Sequence, residues 1–432
     1  MVLPSGFIEE MRSLLGNEAE RFFHAMEENP IVSIRLNRRK PGVLLQEAEK
    51  VKWCESGFYL KNRPLFTLDP LLHAGAYYVQ DASSMIHETV VGSLLSRFSS
   101  SPDEGLSTPL LVLDLCAAPG GKTTAMINAL PDGSFILANE VMPKRRVILE
   151  ENLIKWGYPE YKVLGKESNY FSKKFPATFD IVAVDAPCSG EGMMRKEPKA
   201  VEQWNENLIK SCALLQKEIL KDAIETLKPG GYLIYSTCTF NREENEKNAE
   251  FIKEKYNLEA IDLDFPSDWG IAKGIETELP VYRFMPHVTK GEGLFLAIFR
   301  KPGTWTPANA HDISGVKDSV SDNGNKGFND KKGKSKVSVK KGDKVTGNKK
   351  EEEPMEISNI LSTSFKRNSL PEIELTLEDA LSFLRRESLR LPADTPIGHV
   401  VVTFKGFPLG LMKNIGSRAN NLYPKNWRIL MQ

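Results

Sequence analysis

Two cysteines stand where covalent chemistry could be done: Cys188 in DAPCSGEG and Cys238 in YSTCT. Each closes an apolar run that predicts a buried strand, Val182 to Cys188 (VAVDAPC) and Tyr232 to Cys238 (YLIYSTC). A thiol at a strand's carboxyl end points into the crevice where open α/β sheets bind ligands. Two such thiols beside Asp185, Thr237 and Thr239 suit nucleophilic catalysis better than packing. A free cysteine, with a pKa around 8.5, is only a few per cent thiolate at neutral pH, so such a site must also activate it. The remaining cysteines are Cys54, which lacks a motif, Cys116, and Cys212. Cys212 falls on the helical stripe Leu208, Cys212, Leu215, Ile219, Ala223, Leu227 and is expected in the core. An odd cysteine count, no CxxC pair and no ligand-spaced His cluster argue against a disulfide framework and predict no metal.

A glycine-rich turn supplies the second chemical feature. The run LVLDLC (111–116) leads through Ala117, Ala118, Pro119, Gly120, Gly121 and Lys122 into a helix. Glycines let the backbone approach a ligand, and a helix N-terminus offers free N–H groups. Gly121-Lys122-Thr123 resembles a phosphate loop, but that pattern needs glycine where Cys116 stands. The dinucleotide pattern GxGxxG is also absent. The next strand ends at Glu140, the third is followed by Glu167, and Asp185 closes the fourth. Acids at successive strand ends suit ribose hydroxyls and a neutral or cationic nucleoside, not a polyphosphate. The sulfonium of S-adenosyl-L-methionine fits.

These residues need an α/β scaffold to position them. Strands are predicted at 111–116, 134–140, 161–165, 180–187, 231–238 and 294–300. Helices are expected over Thr123–Leu130, Lys144–Trp156, Asn207–Leu227 and Arg242–Lys255. Near-continuous apolar strands alternating with helices imply a parallel sheet covered on both faces. Residues 1–105 mix helical and strand signals and form a first domain, with 106–302 as the core. Residues 303–355 are polar; 311–350 hold 11 Lys and 5 Asp, a net +6. Such a segment cannot offset its ordering entropy by burial and is expected to be a disordered linker. A small domain, 356–432, follows, with a helix near Leu375–Arg386 and a hairpin around HVVVTFKGFPLGLMK.

The whole chain has 432 residues, 41% hydrophobic and 26% charged, as a globular protein does. With 57 basic and 57 acidic residues the net charge is zero, so a nucleic-acid partner has to be sought in local clusters. Three stand out: Arg35 and Arg38 with their neighbours, Arg195 and Lys196 after Cys188, and Arg418, Lys425 and Arg428. No run reaches the roughly 18 apolar residues that span a bilayer, and the first residues lack a signal-peptide core. A cytoplasmic location without membrane contact is expected.

LDLCAAPGGKTT, VDAPCSGEGMMRK and YSTCTFNREENE resemble the motifs of RNA cytosine-5 methyltransferases of the Sun/Fmu superfamily. SIRLN, HAGAYYVQDASSM, RFMPHVTKGEGLFLAIFR and FPLGLMKNIGSRANNLYPKNWR are similar to its bacterial RsmF branch, with Asp81 where relatives often carry Glu. The resemblance covers most of the chain except the linker. It implies a Rossmann-like class I S-adenosylmethionine-dependent core, an N-terminal α+β RNA-binding domain and a C-terminal PUA-like domain. It implies cytosine in small-subunit (16S) ribosomal RNA as substrate. Transfer RNA, or a non-catalytic role in ribosome assembly, remain alternatives. It makes Cys238 the nucleophile and Cys188 the residue that releases product. Asp185 would hydrogen-bond ring nitrogen 3, and Lys122 would position the base or the loop. The competing assignment makes Cys188 the nucleophile, as in DNA cytosine-5 methyltransferases.

Overall fold

Strand order in the central sheet explains where the two thiols meet. The computed structural model describes residues 2–43, 48–98, 107–321, 357–364 and 370–431. Strands Tyr161–Leu164, Phe135–Asn139, Leu111–Asp114, Phe179–Asp185 and Leu227–Thr237 lie side by side and parallel. The order reverses direction between Leu111–Asp114 and Phe179–Asp185, the switch point beside which open α/β sheets bind ligands. Alternate residues serve two cores, as a period of two requires. Val112, Ile136, Ile181 and Ile234 face one helical layer; Leu113, Leu137, Val182 and Leu233 face the other.

The sheet is not wholly parallel. Leu294–Arg300 runs antiparallel to Leu227–Thr237, and to Val281–Phe284, a strand the sequence pattern missed. The helix Glu246–Tyr256 carries the chain over to Val281–Phe284, parallel to Leu227–Thr237. A hairpin then returns Leu294–Arg300 between them, and a strand entered by a hairpin must run backwards.

Two expectations about extent change. The helix Ile86–Phe98, placed by sequence in the first domain, packs Ile86, Val90 and Leu94 into the catalytic core. The expected linker begins with structure: the helix Ala310–Ser321 buries Ile313, Val316 and Val320 against the sheet. Those three positions form an apolar stripe at helical spacing inside an otherwise polar segment, which a composition average hides. The rest of that segment, 322–356, lies outside the described residues.

The flanking domains share a core. A four-stranded sheet orders Glu49–Lys50, Gly57–Tyr59, Ser33–Leu36 and Tyr77–Val79. A C-terminal sheet orders Glu372–Glu374, Gly398–Phe404, Phe407–Asn414 and Ala419–Asn421. Ile34, Leu71 and Tyr77 from the first pack with Phe407, Tyr423 and Trp427 from the second. Helices Ser5–Leu15 and Ala19–Glu27 cap the loop after Cys188, with Phe7, Met11 and Phe22 on Met194, Trp204 and Phe240. No described helix is long and apolar enough to cross a membrane.

Candidate active site

Register sets the site. Asp185 and Ser236 are direct partners across adjacent parallel strands, so Cys188 and Cys238 emerge level at the same sheet edge. Their Sγ atoms lie 3.3 Å apart. Ser236 Oγ donates to Asp185 Oδ1 at 2.9 Å, and Lys122 Nζ donates to Oδ2 at 2.7 Å. Lys122 comes from the first turn of helix Gly121–Ala129, fed by the neighbouring strand Leu111–Asp114. Gly120, at φ 108°, makes the tight turn between them.

The two thiols are electrostatically unequal. Cys238 is held below the ordinary thiol range, first by the Cys188 S–H it accepts and also by the Lys122 ammonium, against the effect of burial. Cys188 is pushed well up, first because its proton is shared with Cys238 and then by burial. Burial works against the Lys122 charge, but the Asp185 carboxylate outweighs it and raises the ammonium. His87, buried nearby, is lowered to about 4 by burial and by Lys122, so it is a neutral neighbour.

The other strand ends form an acidic row. Asp114 is fully buried, accepts from Thr123 Oγ1 at 2.7 Å, and is pushed up to about 7 by burial. Glu140 is buried; its Oε1 accepts Met142 N–H at 2.8 Å and its Oε2 pairs with Arg145 at 3.1 Å. Arg145 also donates to Ala118 O at 2.7 Å, tying the acid to the glycine-rich turn. Glu167 is exposed at the start of helix Ser168–Lys174. Asn139 staples that row by donating to Leu115 O and Lys166 O, at 3.1 and 2.9 Å. Four carboxylates against two cations, each already paired, fit a cationic nucleoside and disfavour phosphates. Cys116, Ala117 and Ala118 line the same turn, and burial pushes the Cys116 thiol up. Among the described residues no cluster could hold a metal ion.

Several sequence-selected residues do something else. Arg35 is fully buried and donates to Gln80 Oε1 at 2.8 Å and Thr124 Oγ1 at 2.6 Å, so it is a strut and not an RNA contact. Arg195 is buried too: it pairs with Glu292 at 2.7 Å and donates to Ala25 O and Gly291 O. A planar guanidinium satisfies several buried carbonyls at once, which is why arginines can serve inside. Arg38 is half exposed and pairs with Glu88 and Glu55; Lys196 pairs with Glu292. Arg418, Lys425 and Arg428 are exposed. Cys212 is half-buried and Leu215 exposed, because the helix Glu206–Thr226 buries Ile209, Ala213, Gln216 and Leu220 instead. Sequence reasoning passed over Asp114, Asn139, Ser236, Glu191 and Glu244. The last two sit inside the motifs PCSGEG and NREENE, which was the signal available.

Three family models match the chain. Residues 106–300 match the model of 16S rRNA methyltransferase RsmB/F, 3–82 the N-terminal domain of 16S rRNA methyltransferase RsmF, and 370–429 the methyltransferase RsmF PUA domain. The ribosomal RNA small subunit methyltransferase F of Escherichia coli O81 is 31% identical over 98% of this chain and 96% of its own length. That of Enterobacter sp. (strain 638) is 29% identical over 98% and 95%. A methyltransferase homolog protein from Pyrococcus horikoshii superposes with a TM-score of 0.58 at 27% identity, covering 69% of this chain and 95% of its own. NSun6 from the same organism, solved with the S-adenosylmethionine analogue SFG, gives 0.56 at 20% identity over 70% and 99%. Fold and crevice are those of an S-adenosylmethionine-dependent methyltransferase. The chain belongs to the ribosomal RNA small subunit methyltransferase F family.

Proposed function

We propose that this protein methylates carbon 5 of cytosine in small-subunit ribosomal RNA through a covalent bond between Cys238 and carbon 6 of the base. The observation that carries this is the thiol pair, 3.3 Å apart, with Cys238 favoured as thiolate and Cys188 as thiol. Carbon 5 of cytosine is too electron-poor to attack a methyl sulfonium unaided. Addition of the Cys238 thiolate to carbon 6 pushes an electron pair into the ring and makes carbon 5 nucleophilic. Bound S-adenosylmethionine supplies the electrophilic methyl group; Glu140, Glu167, Asp114 and the 116–121 turn would hold it.

Lys122 and Asp185 act on the base. An ionised carboxylate only accepts hydrogen bonds, and Asp185 already accepts two. It therefore suits the exocyclic amino group, and the expected donor to ring nitrogen 3 falls to Lys122, whose charge offsets the one developing there. Cys188 then changes role. Its proton is held chiefly by the neighbouring Cys238 thiolate. Once that charge is consumed in the carbon–sulfur bond, Cys188 gives its proton to solvent water and, as a thiolate, accepts the one on carbon 5. Loss of that proton returns the electron pair that expels Cys238.

The target base must leave its stack to reach this crevice. Exposed Arg418, Lys425 and Arg428, with Arg38 and Lys196, are the remaining candidates for phosphate contact, and an enzyme acting on ribosomal subunits would work in the cytoplasm. Incubation with labelled methyl donor and small subunits, naked ribosomal RNA or transfer RNA, followed by mapping of 5-methylcytosine, tests substrate and position. Cys238→Ala should abolish transfer, and Cys188→Ala should accumulate a protein–RNA adduct that survives denaturing electrophoresis. A fully active Cys238→Ala protein would overturn the assignment.

A further inference from the structure

Two buried carboxylates beneath the thiols have no role in the chemistry above. Glu191 follows Cys188 by three residues, Glu244 follows Cys238 by six, and both are fully buried. Among the described residues neither forms an ion pair. A buried charge without a counter-ion is costly unless hydrogen bonds saturate it. Here they do, and each carboxylate accepts at least one of its hydrogen bonds from the other cysteine's loop. Glu191 Oε2 accepts from Thr239 Oγ1 at 2.7 Å, Phe240 N at 2.7 Å and Asn241 N at 2.9 Å. Its Oε1 accepts from Trp204 Nε1 at 2.8 Å and Asn241 Nδ2 at 3.2 Å. In return Glu244 accepts from Ser189 N at 3.0 Å, Asn241 Nδ2 at 2.8 Å and Gln216 Nε2 at 2.7 Å.

Three further contacts close the exchange. Ser189 Oγ and Thr239 Oγ1 lie 2.7 Å apart, and Gly192 N donates to Cys238 O at 2.9 Å. A Cβ on Gly192 would sit 2.9 Å from Cys238 O and from Glu292 O, so only glycine permits that approach.

We propose that Glu191 and Glu244 form a reciprocal clasp that holds the Cys188 and Cys238 loops at thiol contact, and that Glu191 is a positioning residue for methyl transfer. The proposal rests on the reading that these thiols do the chemistry. Satisfied buried polar networks fix one geometry and forbid others. The paired strands bring the two loops out level at the sheet edge, and the clasp fixes the loops beyond it, where the thiols sit 3.3 Å apart.

Glu191→Gln is the informative variant. All five groups around the carboxylate are donors, so the new amide NH2 must face at least two of them. Two measurements on the full-length protein decide the matter: methyl-transfer kinetics, and alkylation of Cys238 by iodoacetamide across pH, without RNA, read by peptide mass spectrometry. The expected result is a kcat lower by roughly 10- to 100-fold, as about 1 Å of misplacement produces. KM for S-adenosylmethionine should stay unchanged, and the Cys238 alkylation midpoint should move up towards the ordinary thiol range. Glu191→Asp, which keeps an acceptor, should recover part of both. A folded Glu191→Gln protein with wild-type kcat, or with lowered kcat but an unshifted alkylation profile, overturns the proposal. If that variant does not fold, Thr239→Val, which removes one donor and the Ser189 contact, decides by the same readouts. An error in the thiol assignment itself would appear as an active Cys238→Ala protein and leave the alkylation result intact.

Discussion

Asp114 shows how one side chain couples this site to pH. It is fully buried at a strand end, its one side-chain donor is Thr123, and burial lifts it to about 7. An unfolded aspartate has a pKa near 3.9, so between about 4 and 7 the folded chain binds a proton the unfolded chain lacks. Stability from this group is therefore complete below about 4 and is lost as pH rises through 7. The loss is about 1.4 kcal/mol per unit of displacement, a few kcal/mol in all. Asp114→Asn keeps the acceptor for Thr123 and cannot ionise. The difference in urea midpoint between wild type and variant should widen in the variant's favour from pH 4 to 8. A difference that stays flat over that range would show that Asp114 does not titrate in the fold. Single residues were also where sequence reading went astray. The arginines Arg35 and Arg195 carry the same charge as a phosphate-binding pair, and only packing reveals that backbone carbonyls and carboxylates consume them.

Elements were more legible than residues, and the helix Ala310–Ser321 marks where that legibility ends. Strands flanking the cysteines could be read because both faces are buried, which makes the sequence continuously apolar. The glycine-rich turn and the acids at strand ends could be read because their positions relative to a strand carry the meaning. Val281–Phe284 escaped because it is four residues long and contains an arginine, Arg283, whose charge is neutralised in the interior by Glu246. Ala310–Ser321 escaped because Ile313, Val316 and Val320 are too few to outweigh the lysines and aspartates of the segment around them. Its burial nonetheless has a measurable consequence. Val316→Ala removes two methyl groups from the core and should cost about 2 kcal/mol. Asp318→Ala, on the exposed side, should stay within about 0.5 kcal/mol. Equal effects of the two substitutions on the urea midpoint would mean the helix is not part of the folded core.

At the scale of the molecule, the two flanking domains behave as one support for the catalytic sheet. Trp427, near the chain's end, packs in the same core as Ile34 and Tyr77 from near its beginning. Lys155 from helix Pro143–Trp156 of the catalytic domain sits over the Trp427 ring at 5.1 Å. Lys40 donates to Ala74 O at 2.8 Å and Lys155 O at 2.7 Å, and Thr363 N donates to Gly157 O at 2.8 Å. All three domains thus converge on one helix end, so the exposed Arg418, Lys425 and Arg428 of the C-terminal domain keep a fixed place relative to the thiol crevice. Large apolar side chains at such a junction carry its energy: truncating a buried tryptophan costs about 3–5 kcal/mol. Trp427→Ala should therefore loosen a strand almost four hundred residues away in sequence. Hydrogen exchange at the amides of Ser33–Leu36 should quicken markedly, while amides of Phe179–Asp185, in the separate catalytic core, keep their protection. If Ser33–Leu36 exchanged as in wild type while only the C-terminal sheet lost protection, the two domains would be independent units and the common core would carry no coupling between them.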